Sequence, residues 1–485
     1  MKFTDTYKKS IVASSIVFSA LLITGCNSDD DDDKDTTAES SSVRIIHASA
    51  DAPPVDIRLD NTVAVPGLDY PQSTGFVSIT AGTYDVAVDA IVPGGNLEGV
   101  ITVNDISFAK DQRYTVVALD DTANISEFLA EESASSPAAD EVAISVLHAA
   151  TAAGNVDVYV TAPGIDLNTV SANFNFDFKG QVDAGALPAG PYQIRVTAKD
   201  SKTPVYDSGT VDLSAFGGQK LLLLAVNTVN STTQQASPVK LMAYTDNAQL
   251  ELFDTRTTAG ARVVHLSPDA TTAASGPVEV FASSAALPVS PVELIPSIKY
   301  TQTVPGTDSF APVPAGDYIF DVAPDASGIG SSVFTSPSIS LSSGSQYTVI
   351  AAGYVLTSPA FQLLATLDNN RAIVTQASVK VVHGAPLAGS VDIYVTAAGQ
   401  FTSADVENGI AGAPLLNDFS FGEITDYVNV APGNYDIRVV AGGTVAINIE
   451  DYKLAAGSVS TVIAREPKDN GEPSDFNVVV LTNQV

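Results

Sequence analysis

The sequence predicts an all-β protein, built as a tandem array of four β-sandwich domains. Three short motifs recur four times in the same order, apolar and polar residues alternate with a period of two, and glycine-containing turns separate the apolar runs. No segment sustains the 3.6-residue period of an amphipathic helix. With about seven short strands per repeat, we expect immunoglobulin-like or transthyretin-like sandwiches, preceded by a signal peptide and a disordered acidic tether.

The first motif is an apolar run that ends at a histidine and is followed by a second apolar run containing one carboxylate. All four histidines of the chain lie in this context, namely His47, His148, His265 and His383. The carboxylates are Asp56, Asp157, Glu279 and Asp392, and an insertion in the third copy places a glutamate where the others have aspartate. Alternation turns the three aspartates to the face opposite their apolar neighbours, so we expect them on a solvated face.

The second motif is a glycine turn followed by a tyrosine, and the third is a long apolar run. The tyrosines are Tyr84, Tyr192, Tyr318 and Tyr435, and the apolar runs begin at Tyr114, Lys220, Tyr347 and Ser460. We expect the tyrosine rings to fill the core with their hydroxyls at its wet edge. The continuous run 221–226 predicts a strand buried on both faces.

The motif spacing defines four domains of 100–120 residues, each large enough to form a core by apolar packing alone. We place them at 43–137, 140–257, 260–372 and 376–485. The stretch 133–140 has the composition of a linker, and the later junctions are short. A single cysteine excludes an internal disulfide.

The N-terminal segment predicts export and lipid attachment. Lys8 and Lys9 precede an apolar segment, 11–23, that is too short to span a bilayer. It ends in Ile-Thr-Gly-Cys, which resembles a bacterial lipobox, so we expect a signal peptide over 1–25 and lipidation of Cys26. Residues 26–42 then form an acidic tether. Asn27 after the cysteine favours the outer membrane, so we expect a lipid-anchored protein of the bacterial cell envelope. Exposure on the cell surface and a periplasmic orientation of the domains both stay open.

The charge and the motif search exclude several functions. With 55 acidic and 23 basic side chains the net charge is −32, which disfavours nucleic-acid binding. The sequence contains no nucleophile-elbow, zinc-protease, phosphate-loop, dinucleotide or EF-hand motif. We therefore predict no catalytic residues, no metal site and no cofactor.

The repeated motifs also carry a family resemblance. The segments HASADAPPVDI at 47–57, PAGDYIFDV at 314–322 and YTVIAAG at 347–353 resemble the bacterial domain-of-unknown-function family 4397 (DUF4397). The resemblance covers 43–485; the third copy departs by its insertion, and the second and fourth lack the aspartate-proline pairing after the histidine. It implies an extracytoplasmic protein with no known reaction.

Two interpretations of the histidines and carboxylates stay open at this point. A hydrogen bond that closes a strand end explains one histidine per repeat, whereas a metal ligand or a general base paired with the carboxylate is the alternative. We treat all eight residues as candidates for a weak ligand site. The leading functional hypothesis is a lipid-anchored structural, adhesive or ligand-binding protein, with glycans or envelope proteins as candidate partners. An envelope hydrolase using a histidine–carboxylate pair and a cation-binding scaffold are the alternatives.

Overall fold

A computed structural model describes residues 39–132, 135–229, 237–270, 277–357, 360–467 and 476–483. The predicted signal peptide, the lipidation site Cys26 and the tether up to residue 38 lie outside the described residues. Within those residues the protein is all-β and forms four sandwiches, each made of two sheets. The predicted fold class is confirmed.

The first two sandwiches contain seventeen strands in the described residues. The first consists of β1 (Ser40–His47), β2 (Val55–Leu59), β3 (Thr62–Leu68), β4 (Val77–Thr80), β5 (Gly82–Ala90), β6 (Leu97–Phe108), β7 (Arg113–Leu119) and β8 (Ser126–Glu132). The second consists of β9 (Glu141–His148), β10 (Val156–Thr161), β11 (Phe174–Phe176), β12 (Gln181–Pro188), β13 (Pro191–Ala198), β14 (Pro204–Asp212), β15 (Lys220–Asn227), β16 (Val239–Tyr244) and β17 (Gln249–Leu252).

The last two sandwiches repeat this pattern with small additions. The third consists of β18 (Ala259–Leu266), β19 (Val278–Ser283), β20 (Val292–Ile298), β21 (Thr303–Val304), β22 (Ala311–Val313), β23 (Gly316–Pro324), β24 (Phe334–Thr335), β25 (Ile339–Leu341), β26 (Gln346–Ala352) and β27 (Gln362–Asp368). The fourth consists of β28 (Ala377–His383), β29 (Val391–Ala397), α1 (Ser403–Glu407), β30 (Leu416–Phe419), β31 (Val428–Val430), β32 (Gly433–Ala441), β33 (Thr444–Leu454), β34 (Val459–Arg465) and β35 (Asn477–Thr482). In the described connections lie six single-turn 3₁₀ helices, at 122–124, 151–153, 167–169, 214–216, 329–331 and 386–388.

One topology recurs in all four sandwiches. The histidine-bearing strand lies at the centre of one sheet, which we call the histidine sheet, with the orders β4-β1-β7-β8, β12-β9-β15-β16-β17, β21-β18-β26-β27 and β31-β28-β34-β35. The tyrosine-bearing strand lies in the other, the tyrosine sheet, with the orders β3-β2-β5-β6, β11-β10-β13-β14, β20-β19-β23-β24 and β30-β29-β32-β33. Each histidine strand pairs in parallel with the strand of the third motif, in the same register every time.

The core of each sandwich lies between its two sheets. In the second sandwich, Ile144 and Leu223 of the histidine sheet pack against Val156, Val158 and Ile194 of the tyrosine sheet. The period of two directs every second side chain into this core. The alternate side chains of the histidine strands therefore point to the opposite face of the sheet.

That opposite face is also buried, because the sandwiches pack in pairs. Contacts divide the described residues into two compact units, the first holding the first and second sandwiches and the second holding the third and fourth. In the second unit, Val264 and Ile350 of one histidine sheet join Val382 and Ile463 of the other in a single apolar cluster. Two histidine sheets thus meet face to face.

Strand β1 begins at Ser40, so residues 40–42 belong to the first sandwich and not to the tether. Their backbone pairs with 78–80 of β4, and this ladder continues the strand beyond the first apolar residue. Strand β18 likewise begins at Ala259, one residue before the predicted boundary. Helix α1 was absent from the sequence prediction because it is five residues long and has only one buried side chain, Val406.

Candidate functional site

The four histidines close the loop that follows each histidine strand. The Nε2 atoms of His47, His148 and His383 bind the carbonyl oxygens of Pro53, Gly154 and Gly389 at 3.0, 2.8 and 2.9 Å. Each acceptor lies six residues after its histidine. For His265 that position is residue 271, which lies outside the described residues. This is the strand-closing hydrogen bond that the repeat pattern predicts.

The second ring nitrogen fixes the protonation state. Nδ1 of His148, His265 and His383 accepts the backbone N–H two residues later, at 3.3, 3.4 and 3.3 Å. Nδ1 therefore carries no proton, and Nε2 donates to the carbonyl. Burial lowers the pKa of all three imidazoles, that of His265 to about 4. The rings are neutral at pH 7.

The carboxylates of the second strand also bind backbone amides. Asp56 accepts the N–H of Gly67 at 2.8 Å, and Asp392 accepts the N–H of Asp418 at 2.9 Å. Gly67 has φ +63° and Asp418 has φ +53°. At both places the ladder with the neighbouring strand shifts register, so the aspartate satisfies an amide of the irregular strand.

The equivalent residues of the second and third sandwiches are buried, which corrects the expectation of a solvated face for Asp157. Asp157 is 8% exposed and accepts from Asp200 N and Asn175 Nδ2 at 2.9 and 2.7 Å. Glu279 is 4% exposed and accepts from Gly328 N. Alternation does turn both carboxylates away from the core, but turns that lie next to them in space cover them.

The repeated tyrosines bind their own turn. The hydroxyls of Tyr84, Tyr192, Tyr318 and Tyr435 donate to the carbonyl oxygen four residues earlier, at 2.7–2.8 Å. This is the tyrosine corner found in immunoglobulin-type sandwiches. Burial of the ring raises the pKa of the Tyr318 hydroxyl. The hydroxyl therefore holds the turn at the start of the strand.

The structure does not assemble these residues into a catalytic pair. Nε2 and Nδ1 of both His148 and His383 bind backbone groups rather than a carboxylate. The carboxylates nine residues later lie on the outward face of the other sheet. Across the described part of the chain, no group of three or more histidine, cysteine, aspartate or glutamate residues is arranged to hold a metal ion.

A second polar cluster, which the motifs did not predict, lies between the paired sheets of the second unit. Arg262 is fully buried and donates to Thr348 Oγ1, Thr307 O and Asn483 Oδ1 at 3.1, 2.8 and 3.0 Å. Its guanidinium lies 3.4 Å from Asp368 Oδ2, and Tyr427 donates to the other oxygen of this carboxylate. Burial lowers the pKa of Arg262.

The same cluster occurs in the first unit. Arg44, 2% exposed, donates to Thr115 Oγ1 at 3.1 Å, to Glu132 Oε1 at 2.6 Å and to Thr245 O of the second sandwich at 3.1 Å. Arg113 binds both carboxylate oxygens of Asp246. Two duplicated arginines thus bridge their sandwiches to the next sandwich along the chain.

Tyrosine hydroxyls add a matching hydrogen bond to each pair. Tyr70 donates to Asn227 O at 2.6 Å, and Tyr300 donates to Glu466 O at 2.9 Å. Both acceptors lie two residues after the alanine that pairs with the histidine strand. The two units therefore share one interface geometry.

A sequence signal for this cluster exists. Three residues before the histidine, the odd copies have Arg44 and Arg262, whereas the even copies have Ser145 and Lys380. A charged side chain in an apolar strand indicates a partner on the second face of the sheet. The odd–even alternation indicates that the partner is the adjacent copy.

These features define a tandem β-sandwich protein in which the repeated polar residues bind the backbone. The family model of the domain of unknown function DUF4397 matches residues 41–159, 259–394 and 395–485, and the chain belongs to that family. Residues 160–258, which the family model does not match, contain most of the second sandwich, which has the same strand order as the others. The predicted resemblance is confirmed.

The solved structures to which this chain is similar include the following three. The Bacillus anthracis TIE protein is 11% identical, covering 88% of this chain and 68% of its own, with a TM-score of 0.15. A candidate cell adhesion protein from Bacteroides ovatus is 10% identical, covering 48% and 98%, with a TM-score of 0.18. Two B repeat units of the collagen binding protein of Staphylococcus aureus are 9% identical, covering 92% and 99%, with a TM-score of 0.12.

No curated protein matches the chain. In the described residues, no helix is long and apolar enough to cross a bilayer. Because the TM-scores are low, functional inference for this chain rests on its family and on the geometry of its repeated residues.

Proposed function

We propose that the chain is a lipid-anchored, extracytoplasmic scaffold of the bacterial envelope with a structural or adhesive role. One observation carries the proposal: the histidine, the carboxylate and the tyrosine that recur in all four copies each bind the backbone of their own domain. Duplication that preserves loop closure and turn geometry maintains a fold. Duplication that preserved a reaction would keep a nucleophile and a base within hydrogen-bond reach.

The paired sheets support the scaffold role. The arginine clusters buried between two sandwiches fix their mutual orientation through hydrogen bonds that cross from one sandwich to the other. A rigid pair presents its outer tyrosine sheets and loops in a constant geometry. Repetition of a weak binding surface on such a scaffold raises avidity for a polymer. Glycans and envelope proteins are the partner classes we propose.

The anchoring half of the proposal rests on the Ile-Thr-Gly-Cys sequence at 23–26 and is tested by metabolic labelling with a radioactive fatty acid. We expect the label in the native protein and its loss in Cys26→Ala, with the protein released from membranes. Protease treatment of intact cells should then remove the domains if they face outward. Unlabelled native protein, or domains protected in intact cells, would contradict lipid anchoring and surface display respectively.

The scaffold half is tested by binding and turnover assays on the chain from residue 27. We expect capture by a glycan or envelope-protein array and no hydrolysis of ester, glycoside or peptide reporters. Replacing the four histidines by glutamine should lower the unfolding temperature and leave capture by the folded protein unchanged. Turnover that disappears in a folded histidine variant would instead establish the hydrolase alternative.

A further inference from the structure

The core of the third sandwich contains an apolar cavity of about 150 Å³. It lies between the two sheets and is lined by Ala261, Val263 and Val349 from the histidine sheet and by Val280 and Phe320 from the tyrosine sheet, among others. Among the described residues that line it, His265 alone has a polar side chain. Protein interiors are packed nearly as densely as organic crystals, so a cavity of this size calls for a physical cause.

The first sandwich has a smaller cavity at the equivalent place. Its volume is about 80 Å³, and its lining includes Val43, Ile45 and Val116, which match Ala261, Val263 and Val349 by strand register. Two core spaces of the second sandwich have volumes of about 10 and 20 Å³.

Side-chain size accounts for this series. At the position four residues before the histidine, the second sandwich has Ile144, the first has Val43 and the third has Ala261. The volumes of the core spaces increase in the same order, from isoleucine to valine to alanine. The valine side chain has one carbon atom fewer than isoleucine, and the alanine side chain has two fewer than valine. The small side chain of Ala261 therefore enlarges this cavity. The second sandwich also has Leu223 where the first and third have Val116 and Val349, which fills its core further.

We propose that the cavity of the third sandwich is a binding site for one small, uncharged, apolar molecule. An apolar cavity of this volume accepts a molecule of about the size of benzene. Part of the lining, Leu294, is 39% exposed, so the cavity extends to the protein surface. Aliphatic walls make no hydrogen bonds to a ligand, so recognition depends on size and apolarity. This activity is independent of lipid anchoring and of any adhesive surface.

Benzene and xenon test the site in the chain from residue 27, which contains every described residue. Isothermal titration calorimetry should show one benzene bound per chain, with a negative heat-capacity change from apolar burial. Crystals under xenon pressure should show the gas between the sheets of the third sandwich. Absence of both signals overturns the proposal.

Filling the cavity provides the matched comparison. Ala261→Ile, which installs the residue of the second sandwich, should weaken benzene binding at least tenfold and raise the unfolding temperature. Ala261→Val is the milder variant if the isoleucine prevents folding. Val379→Ile makes an analogous enlargement in the fourth sandwich and should leave the affinity unchanged. Equal benzene affinity in the native chain and in a folded, filled variant would place the ligand elsewhere and refute the assignment.

Discussion

A buried imidazole has two ring nitrogens that need hydrogen-bond partners, and in His148 and His383 the loop that follows the strand binds both. The carbonyl six residues later accepts from Nε2, and the amide two residues later donates to Nδ1. This arrangement requires the neutral ring, which agrees with the lowered pKa of His148, His265 and His383. Position and spacing in the sequence predicted the bond, but not the tautomer, because the donating amide belongs to a loop of variable sequence.

His265 should make stability depend on pH. Its pKa falls from 6.5 to about 4 on folding, so the unfolded chain binds the extra proton between these values. Stability is therefore fully present above pH 6.5 and is lost as pH falls through 4, by about 3 kcal/mol in all. Urea unfolding of the second unit at pH 7.5 and 4.5 measures this loss. His265→Gln should reduce the dependence, and an unchanged slope would contradict the buried neutral ring.

The hydroxyl of the tyrosine corner should raise the free energy of unfolding by about the contribution of one hydrogen bond. Tyr318→Phe removes the donor to Pro314 O and leaves the ring in the core, so we expect a loss of about 1 kcal/mol. Chemical unfolding of the second unit gives the value. Tyr394→Phe is the control, because in the described residues this half-buried tyrosine makes no hydroxyl hydrogen bond. Equal effects of the two changes would argue against the corner.

At the scale of strands and sheets, the apolar runs correctly predicted which strands are buried. The charged residues within them indicate, in addition, that a partner covers the second face of the sheet. The run 221–226 is buried on both faces, with Leu221 and Leu223 in the core of the second sandwich and Leu222 and Leu224 buried on the other face. The sequence contains Arg44 and Arg262 in similar runs, but periodicity alone does not say that a carboxylate from a distant strand will meet them. Glu132 and Asp368 lie 88 and 106 residues further along the chain.

Removing one partner of the Arg262–Asp368 pair should destabilise the second unit strongly, whereas replacing both partners with apolar residues should cost less than the two single changes together. Arg262→Ala leaves a buried carboxylate without its counter-ion, so we expect a loss of about 3–5 kcal/mol from the second unit. The double change Arg262→Met with Asp368→Leu should cost less than the sum of the single changes. Lys110→Ala, which breaks an exposed pair with Glu39, should have no measurable effect. Additive single effects at the buried pair would show that the two side chains are not coupled.

The solvated-face prediction failed for Asp157 because a turn distant in sequence covers it, and Glu279 is buried in the same way. Asp200 and Gly328 supply the covering amides, 43 and 49 residues away in sequence. Alternation specifies the face of a strand on which a side chain lies. It does not specify which other part of the chain covers that face.

At the scale of the whole molecule, four copies of one domain are organised as two pairs. The repeats and their number were predictable, since three motifs recur in fixed order. The pairing was not predicted, because the apolar residues of the second sheet face look like ordinary core residues in a buried strand. The alternation of Arg44, Ser145, Arg262 and Lys380 separates odd from even copies, as do Tyr70 and Tyr300, for which the even copies have Phe178 and Phe421.

Scanning calorimetry of the chain from residue 27 tests the paired scaffold most directly. A pair joined by a buried apolar cluster and an arginine network should unfold as one cooperative body, so we predict two transitions, each spanning two sandwiches. Arg44→Ala should lower one transition and Arg262→Ala the other. Four transitions, one for each sandwich, with each arginine substitution affecting a single domain, would contradict the account.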